Sequence, residues 1–375
     1  MSSLKLGWKM VKFGDVVKNA NLVKRDSETK SVERIVGLEH IDPENLHIRR
    51  WNSVADGTSF TRSFVPGQTL FGKRRAYQRK VAYAEFEGIC SGDILTFEPK
   101  NRKVLLPELL PFICQSDAFF DHALDTSAGS LSPRTSWTAL KDFEFPLPPL
   151  EEQKRIADIL WAADEAVRAY ECVKVDGEIA AKILFLQHMR NAKESIEVGK
   201  IAKFTSGKSI KVTDLPNTPT EEFGFPVYGG NGIAGYTKSV LPGYPGRTVV
   251  IGRVGQFCGN VLVSSDTGWI TDNALYAKWI SPDFLVDYLA LSLRHMELNK
   301  NKIGNYLPLI NQKVVHGAQI SKLSVSEQKR LIMAHRKILD SIECSINACG
   351  ELLTVKKALM DRLIGTVEGG IGNVG

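Results

Sequence analysis

The stretch Phe145-Pro-Leu-Pro-Pro-Leu-Glu-Glu-Gln-Lys-Arg-Ile-Ala-Asp-Ile-Leu160 decides how this chain is read. Pro146, Pro148 and Pro149 stop any helix from entering from upstream, and Glu151 and Glu152 suit the positive end of the helix that follows. A long helix is therefore predicted to start near Leu150. Its apolar positions Ile156, Ile159, Ala163, Ala166, Tyr170 and Val173 recur three and four residues apart, a narrow stripe suited to lying along another helix.

The other helix is in the same chain. Val325-Ser-Glu-Gln-Lys-Arg-Leu331 repeats the start 175 residues later, with Glu-Gln-Lys-Arg identical at 152–155 and 327–330. Ser324 and Glu327 form a capping-box pattern. A stripe continues through Ile338, Ile342, Ile346, Cys349, Leu353, Met360 and Leu363. One unit, a variable segment followed by a long helix, thus occurs twice. Gly177 in the middle of the first helix costs about 1 kcal/mol relative to alanine, which points to a close helix crossing or to a local break.

Bulk properties bound the rest. At 375 residues, 43% hydrophobic and 24% charged, the composition is that of an ordinary globular protein of two domains. The longest apolar runs are too short for a membrane helix, and Met-Ser-Ser-Leu-Lys-Leu carries no signal-peptide core, so a cytoplasmic location is expected. Six cysteines without a Cys-x-x-Cys pair are read as reduced, with no structural zinc site. The net charge of +6 fits an anionic partner.

Within the first segment, short β-rich runs flank Gly72-Lys-Arg-Arg-Ala-Tyr-Gln-Arg-Lys80, five cations in nine residues. A charge run is often only a solvated face. Here Tyr77 and Gln78 can stack on or hydrogen-bond to bases, and Arg74, Arg75 and Arg79, with Lys73 and Lys80, suit phosphate and guanine. A basic loop leaving a strand is therefore expected to probe DNA.

The second segment uses other residues: Tyr228-Gly-Gly-Asn-Gly-Ile-Ala-Gly-Tyr236, then Arg253-Val-Gly-Gln-Phe-Cys-Gly-Asn260 and Gly268-Trp-Ile-Thr-Asp-Asn-Ala274. The glycines serve tight turns or a close nucleic-acid backbone. Asn231, Tyr236, Arg253, Gln256 and Asn273 are candidates for DNA contact, with turn capping the competing role for Asn273. No catalytic pattern emerges. Gly207-Lys208-Ser209 lacks the earlier glycine of a phosphate-binding loop, since Ala202 stands there, and Pro146-Leu-Pro-Pro149 lacks the amide and aromatic of an amino-methyltransferase motif. The chain is expected to perform no covalent chemistry, and no catalytic or metal-ligating residue is assigned.

The helix start, its echo at Ser326 to Leu331 and the two dissimilar segments resemble the specificity subunit of a type I restriction-modification system. The second start departs from the pattern, because Lys322-Leu-Ser-Val replaces the proline cluster. The resemblance implies an α+β architecture: two α/β target-recognition domains, each followed by a long helix, the helices pairing as an antiparallel coiled coil. The corresponding boundaries are 1–145 and 191–322 for the domains, 146–190 and 323–366 for the spacer helices, and 367–375 for a flexible tail. It also implies a non-catalytic subunit that reads a bipartite site in double-stranded DNA. Two modification subunits carrying S-adenosylmethionine for adenine-N6 methylation, and restriction motor-nuclease subunits, would assemble on it. Leu160, Val167, Leu184, Leu186, Leu339 and Leu359 are candidates for helix faces that meet the methyltransferase, unless they only thicken the helix pair. The competing reading is a stand-alone DNA-binding or interaction scaffold.

Overall fold

A computed structural model describes residues 4–23, 32–296, 298 and 309–364; the expected tail and the side chain of Leu363 lie outside these. The chain divides into two compact units, Met1–Glu171 with Asn347–Gly375, and Cys172–Ile346. Each long helix is therefore shared between the two units, whereas the sequence reading treats it as a separate spacer.

The first unit opens with strand Lys9–Lys12, a single helical turn Phe13–Val16 and strand Val17–Asn19. Lys9–Lys12 pairs antiparallel with Glu144–Leu147, the strand that runs into the central helix Leu150–Asn191. Val17–Asn19 is the edge of an antiparallel sheet whose order continues Ile94–Pro99, Thr69–Gly72, Val81–Tyr83. Against this sheet pack Leu110–Gln115 and Asp117–Asp125, enclosing Phe13, Phe71, Phe97, Phe112 and Phe119, all fully buried. A five-stranded sheet, in which Arg34–Val36 runs parallel to Gly88–Cys90, covers a smaller core around Val36, Phe64 and Leu70.

The second unit repeats this plan in the same order. Strand Ser195–Glu197, helical turn Val198–Ile201 and strand Ala202–Ser206 lead in. Ser195–Glu197 pairs with Gln319–Ser321, the last strand before the second long helix, Val325–Ile364. The antiparallel sheet runs Ala202–Ser206, Ala274–Ile280, Val249–Gly252, Val261–Val263, and packs on helix Val286–His295. The segments that look unrelated in sequence thus share one frame.

Both helices run unbroken, for 42 and 40 residues. The capping box at the second start is formed: the Ser324 N–H donates to Glu327 at 2.8 Å, and the Glu327 N–H approaches Ser324 Oγ at 3.4 Å. Contacts within each unit give an antiparallel course. In the first unit Asp164 meets Lys356 and Cys349 lies 4.0 Å from the Val167 carbonyl; in the second, Gly177 lies beneath Ile342. A Cβ on Gly177 would stand 2.6 Å from Ile342 Cγ1, so this glycine marks a close crossing and not a break.

The buried line differs from the apolar stripes drawn from sequence. Ile156, Ile342 and Met360 of the stripes are buried, but Ile159, Val173, Ile346 and Leu353 are 42%, 41%, 46% and 44% exposed, while Leu160, Asp164, Ala181 and Lys356, outside the stripes, face inward. An apolar pattern skips positions filled by a paired charge or a glycine, and so drifts to the neighbouring hydrophobic residue.

Candidate nucleic-acid interface

The basic run forms the loop of a hairpin between Thr69–Gly72 and Val81–Tyr83. Gly72 donates to the Lys80 carbonyl at 2.9 Å, Gln78 to Arg75 at 2.8 Å and Arg79 to Ala76 at 2.9 Å, closing one 3-10 turn, Ala76–Gln78. Arg75 and Arg79 flank it in the left-handed region, with φ of 55° and 52°.

The five cations do not act alike. Arg79 reaches inward: it lies 3.0 Å from Glu44 and 2.7 Å from Asp117, donates to the Gln115 carbonyl at 2.9 Å and covers the Phe120 ring. Lys80 donates to the Leu38 carbonyl at 2.6 Å. These two fasten the hairpin to its own domain. Arg74 is held loosely, 3.6 Å from Asp93 and 3.3 Å from Ser132 Oγ, which Arg75 also approaches at 3.3 Å. Burial, with Arg62 nearby, pulls the Lys73 ammonium below its ordinary value. Tyr77 stands out at 54% exposed, and Gln78 is half-buried beside it.

Arg253 to Asn260 form the matching hairpin loop between Val249–Gly252 and Val261–Val263. Gly252 donates to the Asn260 carbonyl at 2.8 Å and Cys258 to Gly255 at 3.1 Å. Gly255 and Gly259, at φ of 75° and 90°, occupy the places of Arg75 and Arg79. Even the anchoring recurs: Lys73 donates from its backbone to Asp93 at 3.0 Å, and Arg253 to Asn273 at 2.9 Å. At the place of Tyr77 stands Phe257, 42% exposed and absent from the sequence-based candidates. A loop alignment from Gly72 and Gly252 would have found it.

Asn231 and Gln256, both exposed, line one groove with Phe257, Asn260 and Arg294. Arg253 is turned inward, its guanidinium 3.3 Å from Ser206 Oγ and 3.4 Å from the Asp272 carbonyl. Asn273 is exposed beside it, whereas Tyr236 lies on the separate strand Gly232–Thr237 and does not line the groove. Gly230 packs against Gly252 backbone to backbone, which accounts for part of the glycine-dense loop.

Of the six leucine and valine positions assigned to partner faces, Leu160 and Val167 are removed from any surface, at 0% and 9% exposure. Leu160 sits in the first core with Phe112 and Phe145. Leu184 and Leu359 pack partly against the cores of their own units. Leu186 and Leu339 remain exposed, at 45% and 41%. Among the described residues no group of His, Cys, Asp and Glu is placed to hold a metal ion, and no helix is long and apolar enough to cross a membrane.

A frame of paired strands, a hairpin loop and a long helix is thus used twice, once in each unit. The family described as the type I restriction modification DNA specificity domain matches residues 5–171. The EcoprrI and EcoDI type I restriction enzyme specificity subunits of Escherichia coli are 29% and 28% identical over 161 and 165 residues, 43% and 42% of this chain. The matches span only 38% and 34% of those relatives' length. Among solved structures, the type I S subunit of M. genitalium shares the fold with a TM-score of 0.63 at 15% identity, covering 97% of this chain and 99% of that one. A chain from a type I R-M assembly does so with a TM-score of 0.60 at 18% identity, covering 97% and 99%. Residues 5–171 thus resemble that specificity domain, and the chain as a whole shares its fold with type I S subunits.

Proposed function

We propose that this chain is a non-catalytic subunit that reads a bipartite DNA site, one half with each unit, and positions an adenine-N6 methyltransferase and restriction subunits there. The observation that carries the reading is the recurrence of one hairpin probe, Lys73 to Lys80 and Arg253 to Asn260, on the same strand pair of both domains. A two-stranded ribbon of this kind fits the major groove, and its cations would release counterions on meeting phosphate, making binding salt-sensitive. In this reading the length of the long helices sets the spacer between half-sites. The exposed Leu186 and Leu339 remain candidates for the methyltransferase contact, and S-adenosylmethionine would be carried by that partner.

Mapping N6-methyladenine across the source genome, with and without the gene, tests this. Loss of methylation at a single split motif is the expected result. Unchanged methylation in cells that express the chain and its methyltransferase would defeat the reading.

A further inference from the structure

We infer that Tyr77 and Phe257 are corresponding base-contacting tips, one for each half of the DNA site, with Arg75 acting beside Tyr77. The inference rests on the DNA-reading role proposed above and goes beyond it in assigning individual residues.

Three observations lead there. The first is correspondence. From Gly72 and Gly252 onward both loops run eight residues to a valine, Val81 or Val261, close with matching hydrogen bonds and place one aromatic ring at the fifth position. Apart from the cation that opens each loop, Lys73 or Arg253, few side chains match along the two loops. A ring kept at one position of an otherwise divergent loop points to a task shared by both domains.

The second is exposure without a packing role. Among the described residues, neither ring hydrogen-bonds through its side chain or packs on another ring. Each borders a groove: about 500 Å³ beside Tyr77, shared with Pro43 and Gln78, and about 400 Å³ beside Phe257, shared with Asn231 and Gln256. The ring is therefore presented at the rim of a concave, amide-bearing surface. Arg79 and Lys80 tie the first tip down, while the backbone approach of Gly230 to Gly252 holds the second.

The third is strain. Arg75 holds a left-handed conformation where the second hairpin uses Gly255. Arginine there is disfavoured; its backbone N–H donates to the Pro133 carbonyl at 2.7 Å, but among the described residues its side chain makes a single 3.3 Å contact, to Ser132 Oγ. Arg79 has the same strain but is repaid by its ion pairs with Glu44 and Asp117. Among the described residues no ion pair engages the Arg75 guanidinium, so it is assigned to the ligand. A rigid ribbon carrying an aromatic wedge next to an arginine can press the ring on a base step while the guanidinium takes an adjacent phosphate or guanine edge.

The test is selection from a pool of duplexes with random centres, using the full chain in complex with its methyltransferase, alongside thermal unfolding of each variant. Tyr77→Ala should relax base preference in one half of the selected motif only, and Phe257→Ala in the other only. Each should weaken binding to the selected duplex by about tenfold or more. Arg75→Gly should leave Tm unchanged or higher, because the strain is removed, yet weaken the same half as Tyr77→Ala. A structural role would instead lower Tm. If the variants select the wild-type motif with wild-type affinity, the assignment is wrong while the DNA-reading role stands. If the wild-type complex enriches no motif, that role fails and the assignment falls with it.

Discussion

Gln153 and Gln328 make the same three hydrogen bonds in the two units. Gln153 Nε2 donates to the Val104 and Pro148 carbonyls at 2.8 and 2.9 Å, and its Oε1 accepts from the Leu106 N–H at 2.9 Å. Gln328 Nε2 donates to the Asp283 and Leu323 carbonyls at 2.8 and 2.9 Å, and its Oε1 accepts from the Leu285 N–H at 2.8 Å. Both side chains are buried. The glutamine of the duplicated Glu-Gln-Lys-Arg is thus a clamp that joins each long helix to its own domain.

Gln153→Met or Gln328→Met, similar in length but without polar atoms, should each cost about 2–3 kcal/mol, because a buried N–H and two carbonyls lose their partners. Gln→Glu should cost more, since a carboxylate facing two carbonyls repels them. Denaturant unfolding measures both; a loss below about 0.5 kcal/mol would show that water replaces the clamp.

The helix starts, the duplicated Glu-Gln-Lys-Arg and the Ser324–Glu327 cap were legible in the sequence because each depends on a few adjacent residues, whereas the clamp made by the glutamine was not, its partners Val104 and Asp283 lying 49 and 45 residues away. The inner line of the helix pair was not, since Asp164, Gly177 and Lys356 occupy it without being apolar. The correspondence of the two hairpins was hidden for a related reason. Their frame is set by backbone hydrogen bonds and φ angles, which Arg75 and Gly255 satisfy equally while sharing no side-chain chemistry. His47, far from both helices in sequence, gave no local signal of its role beside Asp164.

That role is a buried polar cluster. Asp164 accepts from Lys356 and from His47 Nε2 at 2.9 Å, and His47 Nδ1 lies 2.8 Å from Glu85. The Asp164 and Lys356 side chains are 8% and 6% exposed. Lys356→Met or Asp164→Leu should each destabilise the first unit by about 3–5 kcal/mol by leaving a partner charge uncompensated. The double variant should recover a substantial part of that loss. Additive losses in a double-mutant cycle would mean the two charges do not act as a pair.

The same cluster predicts a pH dependence with two limbs. The hydrogen bond to Asp164 raises the His47 pKa most, against burial, with Glu85 adding to it. Its contribution is complete below the ordinary histidine value of 6.5 and is lost as pH rises through the folded value. Burial pushes the Asp164 carboxyl up, but His47 and Lys356 outweigh it and hold it below its ordinary value of 3.8. Its contribution is present above that value and is lost as pH falls through the lower folded one. His47→Gln should therefore flatten the stability profile over the range from pH 6.5 up through the raised His47 value. A slope equal to wild type over that range would assign the alkaline limb elsewhere.

Gly177→Ala should stabilise the helix by about 1 kcal/mol through propensity yet lose about 1–3 kcal/mol to the clash with Ile342, giving a net loss. In an Ile342→Ala background the clash is gone, and the same substitution should become stabilising. A loss of equal size in both backgrounds would locate the constraint in the backbone instead.

The Asp164–Lys356 contact also bears on how a chain made of two near-copies knows its own parts. Shifted by the 175-residue repeat, Asp164 falls on Leu339 and Lys356 on Ala181, so the buried charges occur at one end of the helix pair and have no twin at the other. Were the central helix to pair instead with the central helix of another copy in the same register, Asp164 would be set against Ala181. Two second helices paired likewise would set Lys356 against Leu339. Either mispairing buries a charge away from the partner it has in the folded chain, at a cost an apolar seam would not impose. The ion pair thereby works as a label that tells the two helices apart and favours pairing of unlike helices over pairing of like ones.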